Sequence, residues 1–244
     1  MAKYSFGSGQ LFATPVGGGA PLRFGAVQDV SVDIQGDIKM LYGQNQFPLA
    51  LARGKSKIEG KFGSGQIDVD LYNLHFFGQT VTDGQLLQAI NEAGSVPAAT
   101  TYTITSANGA DFVQDLGVYY ATSGLPLRQV ASSPGAGEYT VNSGTGVYTF
   151  AAADASAAVL LNYLYEDDTN GRTLEINNKI MGDLPSFQII LAETFKGKAL
   201  VLQLYSCVSD KLSLPFKQDD FMIADIGFSA QADAAGRIGR LSHG

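Results

Sequence analysis

The chain has 244 residues, with 16 Lys and Arg against 23 Asp and Glu and a formal net charge of −7, which is long enough for one domain or one domain carrying a smaller insertion. The acidic balance argues against nonspecific nucleic-acid affinity, because that affinity depends on cations displacing counterions from phosphates. A single cysteine, Cys207 in the apolar run ALVLQLYSCV, excludes an internal disulfide framework and is expected to be a buried, inert thiol.

The opening MAKYSFGSGQLF has no apolar h-region, and no uninterrupted apolar run approaches membrane-spanning length, so a soluble protein made without a cleaved signal is expected. Glycine, phenylalanine and tyrosine numbering 29, 14 and 11 fit a turn-rich all-β chain. From Asp29 to Met40 the sequence alternates. Asp29, Ser31, Asp33, Gln35, Asp37 and Lys39 fall on one face, and Val30, Val32, Ile34, Ile38 and Met40 on the other. Such a period predicts a half-buried strand, and twelve residues at about 3.3 Å each reach roughly 40 Å.

After the turn-like GQNQFP, a second strand sets Arg53, Lys55, Lys57, Glu59 and Lys61 against Ala52, Gly54, Ser56, Ile58 and Phe62. The two runs read as one long hairpin. The embedded RGKS is strand and not a phosphate loop, because Leu49 stands where such a loop needs glycine. Residues 63 to 78, GSGQIDVDLYNLHFFG, fit both periods; the bounding glycines and the pair Tyr72 and Phe76 favour a helix. Asp68 and Asp70 read as helix-start or solvated charge, and His75 as a packed or surface histidine.

Residues 96 to 167 change texture, with short strands between Ser, Gly, Ala and Pro turns, and predict an inserted all-β lobe. The main domain is then discontinuous, residues 1–95 and 168–244. Within EDDTNGRTLEIN, Glu166, Asp168, Asn170 and Gly171 match part of a calcium loop, but Asn177 stands in place of the bidentate acid. Asn170-Gly171 reads instead as a hairpin turn. Thr173, Glu175, Asn177 and Lys179 oppose Leu174, Ile176 and Ile180, predicting another amphipathic strand. A last strand sets Asp225, Ser229, Gln231 and Asp233 against Met222, Ala224, Ile226, Phe228 and Ala230. Four strands would thus share one hydrated and one apolar face, the latter packed on the helix and on the strands near 187–207.

No catalytic constellation, metal site or cofactor motif emerges. Neither histidine has a nucleophile partner, and neither GSGQ repeat continues into a dinucleotide fingerprint. An enzyme is not expected.

The stretch QDVSVDIQGDIKMLYGQNQFPLALARGKSKIEGKF, followed by GQIDVDLYNLHFFG, resembles the tail tube protein of long-tailed bacteriophages, as does the ending DDFMIADIGFSAQADAAGRIGRL. The resemblance covers most of the discontinuous main domain. It implies an all-β fold with a short α-helix, a β-sandwich or barrel-like core that self-assembles into hexameric rings stacked as a tube in the virion. The implied partners are other copies of the chain, the tape measure protein, tail completion or tip proteins, and DNA passing through the lumen without specific binding. On that basis Asp29, Asp33, Asp37, Asp225 and Asp233 are candidates for the lumen. Gln44, Asn45, Gln46, Phe47, Arg53, Lys55, Lys57, Arg237 and Arg240, with the glycine-rich amino-terminal arm, are candidates for contacts between subunits or rings. Alternatives are a subunit of a related injection machine, or a monomeric β-sandwich binding module.

Overall fold

The computed structural model describes residues 4 and 6–244, and it is all-β with one short helix. The first strands are β1 (Gln10–Pro15), β2 (Leu22–Arg23), β3 (Val27–Tyr42) and β4 (Pro48–Ser64). A single turn α1 (Val69–Tyr72) continues into a π-helical turn at Asn73–Phe77. There follow β5 (Val81–Ser95), β6 (Thr103–Thr105), β7 (Phe112–Tyr120), β8 (Arg128–Gln129), β9 (Glu138–Asn142), β10 (Val147–Phe150) and β11 (Ala158–Leu174). The chain ends with β12 (Phe187–Phe195), β13 (Lys198–Ser213), β14 (Ala224–Ala230) and β15 (Gly239–His243).

The chain divides into a discontinuous unit, residues 1–81 with 174–244, and an inserted unit of residues 82–173. The sequence divisions at 96 and 167 differ from these for two reasons. The alternation of β5 is broken by Gly84, Asn91 and Gly94, so it reads as no element. The apparent hairpin turn at Asn170-Gly171 lies within β11 instead, with Gly171 at φ 86°. A Cβ there would meet the Gln85 side chain at 2.5 Å, so glycine serves a close strand approach and not a chain reversal.

In the discontinuous unit one antiparallel sheet runs in the order β2-β1-β12-β13-β14-β4-β3, with β15 also paired to β13. Strands β14 and β15 lie end to end along the same edge of β13, on residues 207–213 and 200–204. The apolar face of β4 and β14 packs as the alternation predicts, because Phe62, Ile226 and Phe228 join Leu11, Phe24, Phe187, Ile189 and Leu204 in one core. Gly60 is opposite Phe228, and a Cβ there would lie 2.3 Å from the ring. The helix is shorter than residues 63–78 allow, since β4 runs on to Ser64. Its start is fixed by Asp68, whose carboxylate accepts from the Asp70 and Leu71 amides.

Leu71, Tyr72 and His75 are the residues this helical segment buries. The imidazole of His75 is 1% exposed and lies among Phe187, Phe24 and Phe62, with ring centroids 4.2, 4.8 and 6.2 Å away. Its Nδ1–H donates to the Leu71 carbonyl at 2.8 Å, and Nε2 is buried without a partner. Cys207 shares this core, and burial pushes its thiol up to about 12, the inert state expected.

The inserted unit has a three-stranded sheet, β5-β11-β7, and a four-stranded sheet, β6-β10-β9-β8. Val118, Leu161 and Tyr163 from the first share a core with Tyr139, Tyr148 and Phe150 from the second. Each buried tyrosine hydroxyl needs an acceptor there. Asp115 accepts from Tyr139 at 2.5 Å and Tyr148 at 2.9 Å, and Glu92 accepts from Tyr163. Asp154 accepts from Tyr120 at 2.6 Å, and burial together with that carboxylate pushes the Tyr120 phenol up to about 12.

Two outcomes follow. Burial lowers the His75 pKa from 6.5 to about 4, against the opposing effect of the Leu71 hydrogen bond. The folded chain therefore takes up this proton less readily than the unfolded one, so the stabilisation is complete above about pH 6.5 and is lost as the pH falls towards 4. Urea denaturation at pH 7 and 4.5 should show a loss on the order of 2 kcal/mol from this group, absent in His75→Phe. In the inserted unit, Asp115→Ala strips two buried hydroxyls of their acceptor and should cost roughly 2–4 kcal/mol in the same assay, with Asp115→Asn costing less.

Candidate assembly surface

The polar face is set by register across β3, β4 and β14. Ser31, Asp33 and Gln35 pair with Lys61, Glu59 and Lys57, while Asp225 and Ser229 pair with Gly63 and Glu59. Asp33, Asp225 and Lys57 therefore share one side of the sheet, and Val32, Ile34, Ile58 and Ile226 the other. Charges on the polar side are balanced locally: Lys57 meets Glu59 at 2.8 Å and Lys211 meets Asp225 at 2.5 Å. The Glu59 carboxylate beside Lys57 raises that ammonium's pKa.

Bulges interrupt the alternation. β3 carries one extra residue between Gln28 and Ser31, where Asp29 has φ 49°. β4 carries one between Gly36↔Ser56 and Ile38↔Arg53. A one-residue insertion reverses the facing of all that follows it. Arg53 thus crosses to the side of Ile38, while Gly54 comes next to Asp37 and Lys39, so the basic row Arg53, Lys55, Lys57 predicted for one face is broken in the middle. Nothing in a strict alternation could signal this, because a bulge adds a residue without changing residue type.

The larger departure concerns the apolar row. The period predicts one wet and one covered face along the whole hairpin, yet only its base is covered. β14 pairs with β4 no further than Ile58. Beyond that point residues 33–47 and 49–57 are exposed on both faces. Ile34, Ile38, Met40, Leu41, Tyr42, Phe47, Leu49 and Leu51 are each more than half exposed, with Phe47 at 80%. Gln44, Asn45, Gln46 and Phe47 form the connection at the tip. Leu41, Tyr42 and Leu51 were not singled out by sequence, and Leu49 only as the residue that excludes a phosphate loop, although the uncharged stretch LYGQNQFPLAL holds all four together.

The carboxyl-terminal candidates lie elsewhere. β14 ends at Ala230, so Gln231 and Asp233 are not on its polar face. Asp233 instead fastens an excursion between β14 and β15, accepting from the Ala235 and Arg237 amides and from the Arg237 guanidinium at 2.8 Å. These bonds, the backbone one from Arg237 first, hold its carboxyl below the usual range. Arg237 also covers the Tyr205 ring, and Arg240 on β15 donates to Gln203. The amphipathic strand expected at 173–180 stops at Leu174, and Ile176 and Ile180 are exposed in an irregular connection. The reason is that no neighbouring strand pairs with it. Of the amino-terminal arm, residues 1–3 and 5 lie outside the described residues.

The EDDTNG stretch shows ordinary local bonding, with Asp167 accepting from the Thr169 amide and the Asn170 side chain. Among the described residues no group of three or more His, Cys, Asp or Glu is placed to hold a metal, and no helix is long and apolar enough to cross a membrane. Compared with models of protein families the chain matches none, and no curated protein matches it.

Proposed function

We propose that this protein is a structural subunit that assembles with copies of itself into a tube, the role its resemblance to phage tail tube proteins implies. The observation that carries the reading is the projecting hairpin. Its eight apolar side chains, each more than half exposed, lie along one ribbon and are not scattered singly over the surface. Clustered exposed apolar groups of this kind mark contact sites. A second copy is the simplest partner, because the rest of the proposal asks only for repetition of one chain in hexameric rings. The tape measure protein, tail completion proteins and transiting DNA are then the further partners, and the virion tail is the site of action.

The polar face fits the wall of such a bore. With acids and bases interleaved, and Lys57 and Lys211 each beside a carboxylate, it offers no unbalanced cationic track on which DNA would be held by counterion release. Asp33, Asp37 and Asp225 are the lumen candidates that lie on this face, and Asp29 sits at its bulged margin.

The assembly reading is tested by negative-stain electron microscopy and sizing chromatography of the purified chain over rising concentration. Rings or tubes are expected for the wild type and monomers for Phe47→Asp/Leu49→Asp. A double variant that assembles as readily as the wild type, or a wild type that stays monomeric throughout, would argue for the isolated binding module instead. The lumen placement is tested separately. Asp33→Cys supplies an accessible thiol while Cys207 stays buried. In tubes it should react with a small maleimide and resist one coupled to a large dextran; equal reaction with both places this face outside.

A further inference from the structure

Two mostly apolar hollows open on the discontinuous unit beside β15. One, of about 250 Å³, is walled by Val30, Val32, Leu191, Leu200, Leu202 and Leu241, together with Gly7, Ser8 and Glu193. The other, of about 190 Å³, is walled by Ile34, Ile58, Leu204, Ile238, Gly239 and Arg240 and shares Val32, Leu202 and Leu241 with the first. An apolar cavity of about 150 Å³ is large enough to bind benzene, so each hollow has room for one large apolar side chain. Leu241, which borders both, is 69% exposed on a strand whose five residues are all exposed.

We infer that these hollows receive the hairpin tip, Phe47 with Leu49, of a second copy of the chain. This rests on the self-assembly reading and names where its contact lands. Three observations select that occupant. The segment from Tyr42 to Leu51 carries no charge, so it brings no ion of its own to be desolvated in a mostly apolar site. Its side chains are among the most exposed apolar groups of the hairpin. Its own chain's hollows are out of reach: Ile34 lies at their wall, and ten extended residues carry the tip roughly 30 Å beyond it. Residues 33–47 are all exposed, so the ribbon does not fold back onto its own unit. A tip and a hollow on different surfaces of the same chain make a head-to-tail contact that leaves a free tip and a free hollow at the two ends, so it propagates.

The test mixes two full-length variants, Phe47→Cys and Leu241→Cys, under mild oxidation, with Cys207 buried and unreactive. Disulfide-linked dimers containing one chain of each kind should form several-fold faster than dimers of either variant alone. No preference for the mixed dimer overturns the inference. The comparison detects weak contacts, so it does not require stable tubes. A second arm separates this inference from the broader reading. If Leu241→Glu assembles at the wild-type concentration while Phe47→Asp/Leu49→Asp does not, the hairpin docks elsewhere and the assembly proposal stands. If both assemble normally, both fall. Removal of residues 1–8 from both cysteine variants should leave the mixed-dimer preference in place; its loss would make the amino-terminal arm the occupant, and the inference fails.

Discussion

A two-stranded ribbon has no interior. Where β3 and β4 leave the sheet beyond Ile58, each strand keeps one hydrogen-bonded neighbour and loses the layer that would cover its apolar side. An isolated hairpin is marginally stable in water, and this one continues for more than two turns' worth of alternating residues past its last support. Its pairing resumes across the bulge at Gly36–Ile38 and runs into the supported base, where Ile34↔Ile58 and Val32↔Gly60 are held by β14 and the core beneath it. The ribbon is a lever clamped at one end, and the stability of its free half is coupled to whatever covers it. Cover supplied by another copy makes that stability depend on protein concentration.

The clamp is aromatic. Phe62 on β4 meets Phe24 edge-on at 4.7 Å and His75 at 6.2 Å, and Phe228 packs into the space left by Gly60. His75 belongs to a π-helical turn closed by Gly78 in a left-handed conformation, whose amide donates to the Asn73 carbonyl. The wider turn brings the imidazole down onto the sheet, where its Nδ1–H is satisfied by Leu71 and its Nε2 is left without a partner. A phenyl ring would fill the same volume without an orphaned acceptor. The polar atom makes the base of the hairpin sensitive to acid, at the one place where loosening would propagate along the whole ribbon.

What was legible in the sequence is what depends on a single strand's two faces. The alternation from Val30 to Ile34 and from Ala224 to Ala230 predicted strands, their core side and their polar side, because period two follows directly from backbone geometry. The bounding glycines and the pair Tyr72 and Phe76 marked the helix, while Asp68, read as helix-start or solvated charge, is its N-cap. The misses share one cause, since each depends on a neighbour absent from the local window. Ile38 and Met40 read as buried although no layer lies above them; Ile176 and Ile180 read as strand although nothing pairs there; Arg53 read as aligned with Lys57 although a bulge set by the opposing strand lies between. β5 was invisible because Gly84, Asn91 and Gly94 serve its fit to β11 and spoil its pattern.

The open flank of β3 raises a question of specificity, because an unpaired edge sixteen residues long invites pairing with any extended chain. Two features restrain it. The left-handed residue Asp29 and the bulge opposite Asp37 bend the strand away from the flat geometry that another strand needs, and charged side chains recur along it at Asp33, Asp37 and Lys39. Edge pairing would be nearly indifferent to sequence, since it uses the backbone. A side-chain contact between an uncharged tip and two hollows of limited size discriminates by shape and polarity. In the proposed assembly copies join in one order and stop at the right geometry, and the second kind of contact is the one that can carry that information, which is why the hollows near Leu241 matter more to the proposal than the longer edge beside them.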